Sequence, residues 1–305
     1  MRRKAFEIRT RSILVWFSIL FFSYYPSLKA EQQAAPGKGS TVPTVVLDSA
    51  DSTWSDRVVH QDDVGDCACG PCAIFDAFQF GSAALTNLAA SLPGTNSADK
   101  VRSLIAMYGG EPSTVAHDQP RYLDNGGMWD DDLAPFINDC LKENGYRHRV
   151  HGDRLVLKRR ETPQEQVARV YRELRHSLAA GFPPVVNLQS YGASGKSSHY
   201  DWNWLDGHFV TVVGVQSPLP DDGGFSMWVA DSQSGRVLEV SVNPGSTPFR
   251  AITNKRFRNG KEIDQWSNGY PYLTIRSPKL EGILEGDAAL SHPQLVCVLQ
   301  YIVHR

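Results

Sequence analysis

Three thiols fall within six residues in Asp66-Cys67-Ala68-Cys69-Gly70-Pro71-Cys72, directly ahead of an apolar helical pattern. A thiolate at a helix start is stabilised by unpaired backbone N–H groups and by the helix dipole, the setting that a nucleophilic cysteine needs. Such a nucleophile also requires a base, and a group that orients the base. Of the nine histidines, His208 is best placed. Gly207-His208-Phe209-Val210-Thr211-Val212-Val213-Gly214 reads as a buried strand with the histidine at its start, beside a permissive glycine. Trp228-Val229-Ala230-Asp231-Ser232 puts Asp231 at the end of the next strand, 23 residues on. Adjacent antiparallel strands bring two such side chains together, where Asp231 would hold the imidazole tautomer and stabilise its charged form. The chemistry implied is acyl transfer through a thioester.

The same cysteines suit other chemistry. Cys69-Gly70-Pro71-Cys72 spells a thioredoxin-type redox motif, which points to a thiol–disulfide oxidoreductase. That motif follows a buried strand and a tryptophan, whereas here Ala68 precedes Cys69 and the run Gln61 to Asp66 is too polar for a core strand. Zinc binding by Cys67, Cys69 and Cys72 lacks a second ligand pair at knuckle spacing, and nothing in the spacing of His199, Asp201 and His208 singles out a metal site. No metal and no cofactor is expected. A non-catalytic binding or structural domain with bridged cysteines is the remaining alternative. The Gly- and Ser-rich loop Ser190 to Ser198 lacks the first glycine of a phosphate loop and no helix follows it, so it reads as a mobile surface loop. The run His199-Tyr200-Asp201-Trp202-Asn203-Trp204, just ahead of His208, is a candidate wall of a substrate groove.

Helices and strands must hold these residues in place. Apolar residues at Ile74, Phe75 and Phe78 predict a helix from Cys72 to Phe80, stopped by Gly81. Ser97 is positioned to cap a second helix that runs to Gly109-Gly110. Asp130-Asp131-Asp132 opens a third, through Leu133, Phe136, Ile137 and Leu141 to Gly145. Thr162-Pro163-Gln164-Glu165 is a capping box with proline in the first turn, followed by a stripe at Val167, Val170, Tyr171, Leu174 and Leu178. After Gly181 the period changes. Branched and aromatic runs at Val185–Leu188, His208–Val213, Met227–Ala230, Val237–Val242, Tyr272–Ile275 and Val296–Val303 predict largely antiparallel strands. Helices first and a sheet afterwards is an α+β layout.

Cys69-Gly70-Pro71, Leu178 to Val186, Gly207-His208-Phe209-Val210 and Val229-Ala230-Asp231-Ser232 together resemble the bacteriocin-leader (double-glycine) peptidase-like family of the papain-like cysteine peptidases. The resemblance covers roughly residues 58 to 245 and rests on short motifs. It implies a papain-like fold, N-terminal helices followed by a largely antiparallel sheet, with Cys69 as nucleophile, His208 as base and Asp231 as third member. The family also carries an oxyanion-hole glutamine six residues before its nucleophile. Gln61 lies six before Cys67 and eight before Cys69, so the glutamine spacing favours Cys67 and the Gly-Pro neighbour favours Cys69. A papain-type Cys-Gly-Ser-Cys run resembles Cys69 to Cys72 and points to Cys72. Cys69 is preferred, with two residues inserted in the loop before it. Gln61 is the oxyanion-hole candidate, because a side-chain amide beside the nucleophile can donate to the developing oxyanion. Five cysteines leave one over from any set of bridges. Cys140 with Cys297 and Cys67 with Cys72 are the expected pairs, leaving Cys69 free.

Residues 1–30 read as a signal peptide: Arg2, Arg3 and Lys4 precede an apolar run from Ile13 to Phe22, and Ala30 offers a small-residue exit. The apolar run is too short to span a bilayer, and no later stretch is long enough. An exported protein, periplasmic or secreted, with no membrane span after cleavage is therefore expected. The chain carries 31 basic and 33 acidic residues; the first thirty hold six and one of these, which leaves 25 and 32, a net charge of −7. Such a chain has no basic footprint for nucleic acid. Residues 31–57 read as a flexible leader, 58–250 as the cysteine peptidase-like domain, and 251–305 as a C-terminal extension or closing strands. The function expected is a cysteine-dependent hydrolase acting on a peptide or protein substrate, or transferring the same acyl group to an amine or thiol.

Overall fold

The computed structural model describes residues 52–193, 201–221, 223–245, 250–258, 261–266, 272–277, 280 and 294–305. The expected signal peptide, the leader up to residue 51 and residues 194–200 lie outside the described residues.

Helix α1 is Ser52–Ser55, and a 3-10 turn covers Gln61–Asp63. Helix α2, Cys69–Gln79, begins three residues ahead of the predicted start, since Pro71 sits in its first turn, where an N–H has no intrahelical acceptor to lose. Every residue from Gly70 to Phe78 is buried, so α2 is a core helix rather than an amphipathic surface one. Thr211 Oγ donates to Ala73 O at 2.6 Å and pins it to the sheet. Helix α3 is Ala83–Ser91. Helix α4, Ser97–Leu104, runs into a π-helical turn, Ile105–Gly109. Its cap is Asn96, whose side chain accepts from Asp99 N at 2.8 Å; the sequence expectation of Ser97 is one residue late. A hairpin of β1, Tyr122–Leu123, and β2, Gly127–Met128, leads into α5, Asp130–Glu143. Strand β3, His151–Arg154, precedes α6, Pro163–Ala179.

The capping box of α6 is complete: Glu165 N donates to Thr162 Oγ1 at 3.2 Å and Thr162 N to Glu165 Oε2 at 2.7 Å. Thr162→Ala is expected to lower stability by about 1 kcal/mol, read as a reduced midpoint in urea unfolding with an unchanged slope.

The remaining strands are β4, Val185–Ala193; β5, Asp201–Val215; β6, Phe225–Asp231; β7, Arg236–Asn243; β8, Arg250–Arg258; β9, Lys261–Trp266; β10, Leu273–Arg276; and β11, Gln294–His304. Ser190 to Ala193, expected in a surface loop, continue β4 and are buried. Among the described residues, the sheet pairings are antiparallel except a short parallel contact of β8 with β5.

The pairing corrects the expected fold. Strands β4, β5, β6, β7, β10 and β11 form a closed six-stranded antiparallel barrel, because β11 pairs with β10 and also with β4. The papain-like layout of helices followed by a sheet does not describe this barrel-dominated chain, and β3 already lies before the last helix. Register shifts at Leu299/Tyr301, Ser190/Tyr191 and Val212/Gly214 supply the local bends that closure of so few strands demands. Strands β10 and β11 are thus barrel members, while β8 and β9 lie outside the barrel.

Alternate residues of the barrel strands, among them Val186, Leu188, Val210, Val212, Met227, Val229, Val240 and Leu299, form one apolar cluster that α6 joins through Val167, Val170 and Leu174. A second cluster unites α2, α3, α4 and α5 with Val185 and Phe209. Burying an aromatic such as Phe75 or Phe78 there stabilises the fold by about 1.5–3 kcal/mol. Trp54 stacks on Phe80 at 5.5 Å, so residues expected at the end of the leader pack against the domain. Among the described residues, no helix is long and apolar enough to cross a membrane.

Candidate active site

Of the four residues singled out by sequence, Cys69, His208 and Asp231 converge. His208 Nε2 lies 2.6 Å from Asp231 Oδ1, with both side chains buried. A carboxylate only accepts, so Nε2 carries the donated proton and Nδ1 is the nitrogen left for Cys69, whose side chain also acts on the ring. Burial pushes the imidazole down, but the bonds to Asp231 and Cys69 and their negative charges outweigh it and raise His208 to about 10. Burial pushes Asp231 up, yet the His208 bond and charge, with the Ser234 and Gln233 donors, hold it below the usual carboxylate range.

Asp231 is held from two sides. Gln233 N donates to Oδ1 and Ser234 N to Oδ2, each at 3.1 Å, so the turn after β6 folds back on the carboxylate. Sequence reading missed these two amides. The run Asp231-Ser232-Gln233-Ser234-Gly235, with Gly235 at φ 62°, carried the signal of an aspartate-anchored turn.

The start of α2 supplies the electrophilic half of the site. Its N-cap, Ala68, has no side-chain acceptor to cover the first amides. Pro71 has no N–H and Cys72 N donates to Ala68 O at 2.9 Å, so the amides of Cys69 and Gly70 are those without an acceptor in the helix. They are the donors best placed for an oxyanion formed at the Cys69 sulfur. Gly70 is closely packed: a Cβ there would lie 3.2 Å from Met128 Sδ and 3.4 Å from Phe209 Cδ2, so those side chains would have to give by a few tenths of an ångström.

Gln61 occupies the 3-10 turn as a buried fastener. Its Nε2 donates to Asp66 O at 2.5 Å, its Oε1 accepts from Ser232 Oγ at 3.5 Å, and its backbone N donates to Ser232 O at 2.7 Å. It therefore ties the loop before Cys69 to the residue after Asp231. One of its two amide hydrogens serves that loop, and the expected oxyanion role falls to the other.

The three clustered cysteines have different surroundings. Cys72 is fully buried in the helical core, and burial, with the neighbouring Asp76 and Cys69, pushes its thiol far up. Burial, then the charges of Cys69, Asp66 and Asp206, push up the half-buried Cys67. Cys69, half-buried, is the one close enough to His208 to act on it. Cys67→Ser and Cys72→Ala are accordingly expected to keep thiol-dependent activity within about tenfold of wild type, checked by turnover; a loss of 1000-fold in either would reassign the nucleophile. No disulfide joins any of the five cysteines, which corrects the expected bridges Cys67–Cys72 and Cys140–Cys297. Cys140 lies in the helical cluster and Cys297 in the barrel cluster, so the distant pair is held apart by the core itself.

Further along α2, buried Asp76 accepts from Val59 N at 3.2 Å and fastens the segment leading to Gln61. Burial drives its carboxyl well above the usual range, with Asp231 adding to the effect. Among the described residues, no three His, Cys, Asp or Glu side chains are grouped to hold a metal ion. Of the expected groove residues, Trp202 is buried against Tyr191 and Trp204 is 49% exposed near His208; His199 and Tyr200 lie outside the described residues. Comparison of the chain with protein-family models, curated proteins and solved structures finds no match.

Proposed function

We propose that the protein is an exported cysteine hydrolase that cleaves peptide bonds through a thioester on Cys69. The observation that carries this reading is the convergence of a helix-start cysteine, a buried histidine and a buried, triply hydrogen-bonded aspartate. The Cys69 sulfur attacks the carbonyl carbon, a C–S bond forms, and the π electrons move onto oxygen, which the Cys69 and Gly70 amides receive. Collapse expels the amine, which takes its proton from His208. Water then attacks the thioester as His208 removes its proton, and the Cys69 thiolate leaves as the acid product forms. Asp231 keeps Nε2 protonated throughout, so Nδ1 is the shuttling nitrogen. The motif resemblance to the double-glycine peptidase-like family supports the same three roles, and the basic start and apolar run before Ala30 support export.

Alkylation tests the reading. Iodoacetamide is expected to modify Cys69 selectively at pH 6, located by peptide mass spectrometry, and His208→Ala is expected to slow that reaction by about tenfold or more. Equal labelling in the two proteins, or Cys69 and Cys72 cycling together between dithiol and disulfide, would refute it.

A further inference from the structure

Strands β8 and β9 lie outside the barrel and concentrate positive charge in an otherwise acidic chain. Arg250 to Lys261 holds five basic residues and no acidic one, whereas residues 31–305 carry 25 basic and 32 acidic residues, a net of −7. Asn259-Gly260, between the strands, is a dipeptide that favours a two-residue hairpin loop, and Arg258 pairs with Lys261. The register of this ribbon sorts its charges by face. Residues two apart on a strand, and residues directly opposite on its partner, share a face. Arg256, Arg258 and Lys261 therefore share one face, continued by Asn254, Ile263 and Gln265, and no acid falls there. Glu262 and Asp264 fall on the other face, where Asp264 pairs with Lys255. The ribbon's own carboxylates thus leave the cationic face unneutralised. Its root is on the strand that carries the candidate base. Strand β8 pairs with β5 at Arg250 with Asp201 and Ala251 with Trp202, and the pairing is parallel. It therefore leaves Ala251 in the direction in which β5 runs from Trp202 to His208. Arg256 stands five residues past that root on β8, as Gly207 does on β5.

Resting on the hydrolase reading, we infer that the face of Arg256, Arg258 and Lys261 is an exosite that captures an acidic stretch of the protein substrate, beside the segment cleaved at Cys69. Arg256 and Arg258 are about 7 Å apart along β8, and Arg258 and Lys261 about 5 Å apart across the pair, spacings that alternate acids of an extended peptide match. Guanidinium groups take carboxylates through paired N–H···O bonds. The net −7 of the chain opposes a phosphate polymer or an anionic bilayer, because both extend past the ribbon. A short acidic segment meets only the local charge, since physiological salt screens exposed charges beyond about 8 Å.

A rhodamine-labelled peptide of alternating serine and glutamate, and its glutamine counterpart, read the exosite by fluorescence anisotropy on the Cys69→Ser protein. The glutamate peptide is expected to bind about tenfold or more tightly than the glutamine peptide, and the combined variant Arg256→Glu, Arg258→Glu, Lys261→Glu to lose that preference. Lys255→Glu, on the opposite face, is expected to keep it. Arg256→Gln with Arg258→Gln removes charge without adding any and is expected to weaken the preference in the same direction, which guards against a folding defect in the triple variant. No preference for glutamate, or equal losses in Lys255→Glu and the triple variant, overturns the proposal. Tighter binding of phosphatidylglycerol vesicles or of a DNA oligonucleotide, lost in the triple variant, assigns the face to phosphates and also overturns it. In the wild type, joining the glutamate segment to a cleaved peptide is expected to lower KM about tenfold with kcat unchanged, the signature of uniform binding; an unchanged KM overturns the exosite and leaves the hydrolase. The hydrolase reading fails separately, because iodoacetamide labelling of Cys69 does not involve the ribbon. Glutamate binding without selective labelling refutes the hydrolase and keeps the acidic-peptide site.

Discussion

Cys69→Ser is expected to lower peptide turnover by about 1000-fold or more, equivalent to about 4 kcal/mol of transition-state stabilisation, with little change in the unfolding midpoint. The exchange is nearly isosteric and leaves the α2 start, its two amides and the His208–Asp231 pair in place. What it removes is the soft, polarisable sulfur that the thioester chemistry needs. The serine protein should therefore still bind substrate, so the loss should appear in kcat rather than KM. Turnover within tenfold of wild type would show that the sulfur is not the attacking atom.

Removing Asp231 is expected to have the largest combined effect. Asp231→Ala leaves a buried imidazolium without its carboxylate, a change that typically costs about 3–5 kcal/mol. Asp231→Asn keeps an acceptor but loses the charge, and a fall in turnover on the order of 100- to 10000-fold is expected. The stability loss should depend on pH in a defined direction. His208 is raised in the folded protein, so its contribution is complete below its ordinary value near 6.5 and fades as pH rises through about 10. Asp231 is lowered, so its contribution is complete above the ordinary carboxylate value near 4 and fades as pH falls below it. The difference in urea unfolding between wild type and Asp231→Ala should thus be largest between about pH 4 and 6.5 and shrink towards pH 10. An equal difference at pH 5.5 and pH 10 would show that the pair does not titrate as a unit.

Much of the local architecture was legible without coordinates. The Thr162–Glu165 capping box, the Asp130 helix start and six of the barrel strands lie where their patterns put them. Each depends on neighbours a few residues away: a cap needs its partner at the third position, and a strand announces itself by alternation. The candidate triad was legible for a related reason. A helix start, a strand start and a strand end are local features, and Cys69, His208 and Asp231 occupy them.

Other properties arise only when distant segments meet. Barrel closure depends on β11 adopting β4 and β10 as simultaneous neighbours, and no local pattern encodes which edges pair. The expected disulfides failed for the same reason, since parity counts thiols but the core decides their separation. The sequence determined that a thiol would stand at the start of the first core helix, α2. Tertiary structure decided that it is Cys69 that meets His208 while Cys72 turns into the core, because rotation about the helix axis is set by what packs against it.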